Sequence, residues 1–232
     1  MVEVPVKLYL DKVLKTARDA VRPTSLLSGP VRDKALRGMA LSITEAEESI
    51  LAANEKDVDA VGKSMIGYEN RERVRDAVAR IRMTADDVKA LADRLHHIAD
   101  LPDPLGEVLG RHEEPNGLQV SRVRVPIGVI GIVSELSPLE TIDALALCLK
   151  SGNVCVFRGS PDWTHTQQVI AAGLAKAMHD AGIPKGACTI IDRQEKEAAL
   201  ELIKSGKALD AIIPRGGAGL RKVVHEQAKM PI

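Results

Sequence analysis

Residues 127–153, IGVIGIVSELSPLETIDALALCLKSGN, constrain the fold more than any other part of this chain, because they read as strand, turn and helix in direct succession. Ile127, Val129, Ile130, Ile132 and Val133 form an apolar run that also carries Gly128 and Gly131. The run breaks at the turn 134–138, after which the apolar residues take up helical spacing. Residues 210–214 repeat the strand, and Gly216, Gly217 and Gly219 open the helix that follows. Glycines at such a junction let backbone N–H groups come close to a ligand, and a helix N-terminus carries partial positive charge suited to phosphate. A dinucleotide is the ligand this arrangement predicts.

From Pro126 onward, strands near 128–133, 154–157, 189–191 and 211–213 alternate with helices near 139–150, 162–181, 196–204 and 218–228. Short turns between them predict an α/β fold with a parallel, right-handed, doubly wound sheet and any ligand at the carboxyl ends of its strands. Arg158 and Arg215 each follow a strand end directly. Guanidinium groups there suit phosphates, a ribose 2′-phosphate included, because arginine meets phosphate with paired hydrogen bonds. Ordinary surface ion pairs are the competing reading of both arginines. Neither a GxGxxG nor a Walker A sequence is present.

The first hundred residues have helical periodicity. Leu10, Val13, Leu14, Ala17, Ala20 and Val21 recur at that spacing, as do Leu36, Met39, Ala40, Ile43, Ile50 and Leu51 after the start signal Ser28-Gly29-Pro30. Thr84 and Asp87 have the spacing of a capping box ahead of Val88, Leu91, Leu95 and Ile98. His96 and His97 are adjacent on that helix and face different directions, which argues against a metal pair. Residues 107–112, the turn Pro115-Asn116-Gly117 and residues 118–125 give a hairpin signal. In its second strand Arg122 and Arg124 share one face and Val123 and Val125 the other, the pattern of a ribbon that rests against something on one side only. The expected organisation is a helical part over 1–100, a ribbon over 106–125 and a dinucleotide-binding core over 126–232.

Lysine plus arginine and aspartate plus glutamate each number 32, so no global field draws this chain of 232 residues to nucleic acid or to an anionic membrane surface. Tyr9, Tyr68, Phe157 and Trp163 are too few for base-stacking platforms and leave the core to aliphatic side chains. No apolar run reaches the roughly 18 residues that a membrane helix needs, and the N-terminus lacks the basic start and apolar centre of a secretory signal. A small-molecule ligand, a further subunit and a cytoplasmic location are therefore expected. Cys148, Cys155 and Cys188 are odd in number and sit in apolar segments, which predicts buried free thiols and neither a disulfide framework nor a zinc site.

Five ordered runs carry a resemblance: ILAANEKD at 50–57, LPDPLGEV at 101–108, PNGLQVSRVRVPIGVIGIV at 115–133, TIDALALCLKSGN at 141–153 and IIPRGGAGL at 212–220. Through them the chain from Leu14 to Ile232 resembles the γ-glutamyl phosphate reductases, or glutamate-5-semialdehyde dehydrogenases, of the aldehyde dehydrogenase superfamily. The resemblance implies a Rossmann-like, NADP(H)-binding domain and NADPH-dependent reduction of γ-glutamyl phosphate in proline biosynthesis. It implies Arg158 and Gly159 near the adenosine ribose and its phosphate, and Gly216 and Gly217 in a loop near the cofactor, with the strand-end Arg215 beside them as a cofactor-binding candidate. The ribbon would belong to the oligomer-forming part, so a homo-oligomer or a self-associating chain is expected.

Two departures from that family limit what the chain does alone. In such reductases a cysteine of a separate catalytic domain attacks the acyl phosphate, and NADPH reduces the resulting thioester. That domain is expected beyond Ile232, and none of Cys148, Cys155 or Cys188 matches its nucleophile, so no catalytic residue is assigned. The second departure is the turn 134–141, where the family typically shows Tyr-Glu-Ser-Arg-Pro-Asn-Val-Thr and this chain has Ser-Glu-Leu-Ser-Pro-Leu-Glu-Thr. Leu139 thus replaces an asparagine that by superfamily analogy donates to the oxyanion, a loss worth about 3 kcal/mol. The turn reads instead as a capping box, with Ser137 accepting from the N–H of Glu140, the Glu140 carboxylate returning to the N–H of Ser137, and Pro138 at the first helical position. Three readings stay open: the cofactor half of a longer reductase, a catalytically silent module that binds dinucleotide or a partner subunit, and a truncated relic.

Overall fold

The computed structural model describes residues 4–65 and 71–232, so residues 1–3 and Tyr68 lie outside the described part. Among the described residues the chain begins with helices α1 Val6–Ser25, α2 Gly29–Glu45, α3 Glu47–Ser64, α4 Arg71–Ile81 and α5 Ala85–Asp100. Strands β1 Val108–Glu113 and β2 Gln119–Val123 then form an antiparallel ribbon. The remainder alternates: β3 Val129–Ser134, α6 Pro138–Lys150, β4 Val154–Arg158, α7 Thr164–Asp180, β5 Cys188–Ile190, α8 Lys196–Lys204, β6 Ala211–Arg215 and α9 Ala218–Gln227.

The second half forms the expected doubly wound sheet. Its order is β5-β4-β3-β6, with every neighbouring pair parallel. The chain winds outward from β3 through β4 to β5 and then crosses back to lay β6 on the other side of β3, so the winding reverses at β3. Successive residues of a strand point to opposite faces. Ile130, Ile132, Cys155 and Phe157 accordingly join a core built with α2, α5, α6 and α7. Val129, Val133, Val154 and Val156 join a second core with α1, α8 and α9. Because β3 and β4 are buried on both faces, they read as continuous apolar runs and not as alternating ones. The first hundred residues supply cover to both faces, α1 on one and α2 and α5 on the other.

Some elements depart from what the sequence predicts. The periodic stretch from Leu36 to Leu51 is broken at Ala46, between α2 and α3. The hydroxyls of Ser42 and Thr44 donate to the carbonyls of Met39 and Ala40, and such bonding bends a helix away from its own ladder. Helix α4 is not anticipated, because most of its residues are charged and only a small cluster of Val58, Ile81 and Trp163 anchors its end. The helix expected from Asp162 starts as a short 3₁₀ turn over Pro161–Trp163, and α7 begins at Thr164. The capping box of α5 forms as read: the Asp87 N–H donates to Thr84 Oγ1 at 3.3 Å and the Thr84 N–H to Asp87 Oδ2 at 2.8 Å. The ribbon leaves Val108, Leu109, Leu118, Val123 and Val125 exposed.

Candidate functional site

Polar residues in the matched runs divide into those that build the fold and those that face the strand ends. Asp57 belongs to the first group. It is 2% exposed, and its carboxylate accepts from the N–H groups of His165 and Thr166 at 2.9 and 2.8 Å and from the Thr166 hydroxyl at 2.7 Å. It therefore caps α7, whose own N-cap residue Trp163 offers no acceptor. Asn54, one turn earlier, donates to the Ile81 carbonyl and accepts from the Met83 N–H, tying the end of α4 to α3. Asn153 accepts from the N–H groups of Ile127 and Gly128, which aligns the start of β3 with the start of β4. Asp210 accepts from the Val129 N–H and pairs with Arg18 of α1 through both carboxylate oxygens.

At the carboxyl edge of the sheet the structure brings together the residues expected to meet a dinucleotide. Arg158 ends β4 opposite Val133, and Arg215 ends β6 opposite Ser134, so the two arginines flank the end of β3. Arg158 is 6% exposed and its Nη2 donates to the Gln194 carbonyl at 2.9 Å. Burial pulls its pKa below the ordinary arginine value, and the charges of Glu135 and Glu195 oppose that pull. Arg158 Nε, both amide atoms of Gln167 and Gln194 Oε1 are buried without a hydrogen-bond partner. Orphaned polar atoms also occur at Thr24, Arg32 and Thr141, whereas those of Arg158, Gln167 and Gln194 lie beside the end of β4, where the Arg158 Nε–H leaves a donor that fits a ribose or phosphate oxygen. A Cβ on Gly159 would sit 2.1 Å from Gln167 Nε2, so any side chain there would displace the buried Gln167 amide.

The start of α9 is arranged differently from expectation. Gly217 is its N-cap residue and contributes no side-chain acceptor. Its N–H instead donates to Glu135 Oε2 at 3.1 Å, from the turn after β3. A Cβ on Gly216 would lie 2.5 Å from that same oxygen, so the carboxylate occupies space that only glycine leaves open. The Glu135 N–H donates to the Arg215 carbonyl at 2.9 Å and extends the β3–β6 pairing by one residue.

The turn ahead of α6 also differs from its reading. Ser137 is the N-cap residue and Pro138 the first helical one, as the spacing predicts, but no side chain caps the backbone. Ser137 Oγ donates to the Glu140 carboxylate at 2.6 Å, so the hydroxyl and the carboxylate satisfy each other and not the helix N–H groups. Leu139 is 37% exposed and lines a cavity of about 260 Å³ with Met83, Leu91 and Trp163 at the helix start.

The three cysteines lie together in the core. Cys148 and Cys155 are buried, Cys188 is half-buried, and Cys155 stands opposite Cys188 across β4 and β5. The neighbouring Cys148 thiol and burial push the Cys155 thiol well above its ordinary value, and burial does the same to Cys188. Both stay protonated near neutrality and make poor nucleophiles. Among the described residues, no group of three His, Cys, Asp or Glu side chains is arranged to hold a metal ion, and no helix is long and apolar enough to cross a membrane.

Sequence reasoning passed over Glu135 and Gln167. The local signal for Glu135 was its place in the turn after β3, on the edge where Arg158 and Arg215 end their strands, whereas nothing near Gln167 marks it.

Comparison with known proteins agrees with this architecture. The pattern of the aldehyde dehydrogenase family matches residues 7–232. The γ-glutamyl phosphate reductase of Heliobacterium modesticaldum is 37% identical over 94% of this chain and 51% of its own length. That of Moorella thermoacetica is 38% identical over 93% of this chain and 50% of its own length. The crystal structure of γ-glutamyl phosphate reductase from Thermotoga maritima matches with a TM-score of 0.88 and 29% identity, over 96% of this chain and 52% of that one. The chain thus spans about half the length of the curated relatives it matches. With a family pattern that runs through α1, the ribbon and the whole doubly wound sheet, the chain belongs to the aldehyde dehydrogenase family.

Proposed function

We propose that the chain is the dinucleotide-binding part of a γ-glutamyl phosphate reductase, the whole enzyme reducing γ-glutamyl phosphate to glutamate-5-semialdehyde with NADPH in proline biosynthesis. The observation that carries the reading is the corner at the ends of β3, β4 and β6, where the buried Arg158 keeps an unpartnered Nε and the start of α9 draws an anion. On this reading Arg158 and Gly159 hold the adenosine ribose and its phosphate, while Arg215, Gly216 and Gly217 take the diphosphate side. The bound cofactor supplies a hydride; the chain's own residues bind and orient it. Calorimetric titration of NADPH and NADH tests the assignment. Tighter binding of NADPH, with the preference lost in Arg158→Ala, is expected, and equal affinities for the two cofactors in the parent would remove Arg158 from the site.

The same reading divides the chain into a helical part over 1–100, a ribbon over 106–125 and the cofactor core over 126–232, and places it in the cytoplasm. It also makes the ribbon an interface between copies. Support comes from its exposed apolar residues and from β6, an edge strand whose outer side, among the described residues, takes one backbone bond, from the Ile212 N–H to the Pro231 carbonyl. Light scattering at rising concentration is expected to show self-association, and a monodisperse monomer at high concentration would argue against it. A second reading, a catalytically silent dinucleotide-binding or subunit-interaction module, is favoured by Leu139, which offers no donor at the start of α6.

A further inference from the structure

The cavity of about 260 Å³ beside Leu139 is built where α6 and the 3₁₀ turn Pro161–Trp163 follow the carboxyl ends of β3 and β4. That is the edge on which doubly wound sheets take small molecules. Met83, Leu91, Pro138, Leu139 and Trp163 give the cavity apolar walls, and Arg80, an exposed residue in the last turn of α4, lines it as well. We infer that this cavity is a binding site for a small carboxylate with an apolar tail, the carboxylate meeting Arg80 and the tail lying among the apolar walls. The inference goes beyond the dinucleotide reading and does not depend on it.

Both ends of that ligand answer groups the fold leaves unmatched. Leu139 is 37% exposed, so apolar surface at the wall faces water until something covers it. Trp163 is buried in a cluster with Val58 and Ile81 and forms a fixed wall. The volume lies below the roughly 300–1,000 Å³ of drug-sized sites, which limits the tail to a few carbons. Around the cavity, Arg82 pairs with Glu55, Asp87 bonds to Thr84 in the cap of α5, and Ser137 bonds to Glu140. Arg80 has no ion pair among the described residues, which leaves one unmatched positive charge beside apolar walls. A carboxylate complements that charge. Glutamate, with further charges and no apolar tail, suits these walls poorly.

Trp163 is the only tryptophan in the chain, so its emission reads the cavity directly. The test titrates the full chain and its variants Arg80→Gln and Leu139→Glu with hexanoate, hexanol and glutamate, and records a melting curve for each form. Hexanoate binding is then measured by calorimetry with and without saturating NADP+. Hexanoate is expected to shift the emission saturably and glutamate is not. Arg80→Gln should bind hexanoate about fivefold more weakly while hexanol is unchanged. Leu139→Glu, which sets a carboxylate in the wall, should bind it about tenfold more weakly or not at all. Arg80 is exposed, so its variant stays informative if Leu139→Glu lowers the melting point. No saturable change with hexanoate, an equal response to glutamate, or unaltered hexanoate binding in a folded variant overturns the inference. Displacement of hexanoate by NADP+ does so as well, because the cavity would then belong to the cofactor. Hexanoate binding as expected with no NADP+ bound by any form upholds this site and sinks the dinucleotide reading.

Discussion

Replacing Asp57 with alanine is expected to destabilise the chain by about 3 kcal/mol, because it strands three donors that a buried carboxylate now satisfies. The N–H groups of His165 and Thr166 and the Thr166 hydroxyl sit at the start of α7, and Thr166 is itself fully buried. Water cannot replace the lost acceptor without opening the contact between α3 and α7. For a domain of this size the loss corresponds to a fall of about 6–12 °C in melting temperature. Asp57→Asn retains one acceptor and should fall by about half as much. Thermal melts followed by circular dichroism decide the matter. A shift below about 2 °C in the alanine variant would mean that packing alone holds the start of α7.

The second large effect belongs to the start of α6. If the C-terminal half of a close relative is joined to this chain, the chimera is expected to be slow, and Leu139→Asn is expected to raise its catalytic rate about a hundredfold to a thousandfold, equivalent to about 3 kcal/mol. Leu139 is the second residue of α6 and faces a cavity whose other walls include Met83 and Trp163, so an asparagine there gains a donor without displacing a core side chain. Glu140→Val should mainly improve binding of the acyl phosphate by removing a negative charge from the helix start. Its cost in stability should be smaller than the roughly 1 kcal/mol of a full cap, because Ser137 and Glu140 bond to each other and not to the backbone. Steady-state kinetics on the parent chimera, each single variant and the double variant separate the two effects. If the parent chimera already matches the intact relative, and Leu139→Asn brings no gain, the oxyanion role assigned to this position is wrong.

Elements whose bonds close locally were legible in the residues alone. Continuous apolar runs placed the strands of the second half and period-3.6 patterns its helices, because burial on a sheet or helix face depends on spacing within one element. The Thr84–Asp87 cap was legible because its partners lie three residues apart. Arg158 and Arg215 were legible as strand-end residues, since their position follows from where the apolar run stops. The strand order decided what these could not. Asp57 finds its partners 108 and 109 residues away, and Glu135 finds Gly217 82 residues away. No spacing rule encodes such pairs.

Ser137 and Glu140 mark the limit from the other side, for their spacing suits a capping box and yet the carboxylate rotamer gives them to each other. Sequence alone determined that the chain is a doubly wound α/β protein with arginines and glycines at its strand ends. Only the tertiary structure decided that β6 lies beside β3, and with it that a glutamate following one strand reaches the helix that follows the other. The reason is physical: local periodicity sets which face of an element is buried, whereas the crossing from β5 back to β6 sets which strand ends become neighbours.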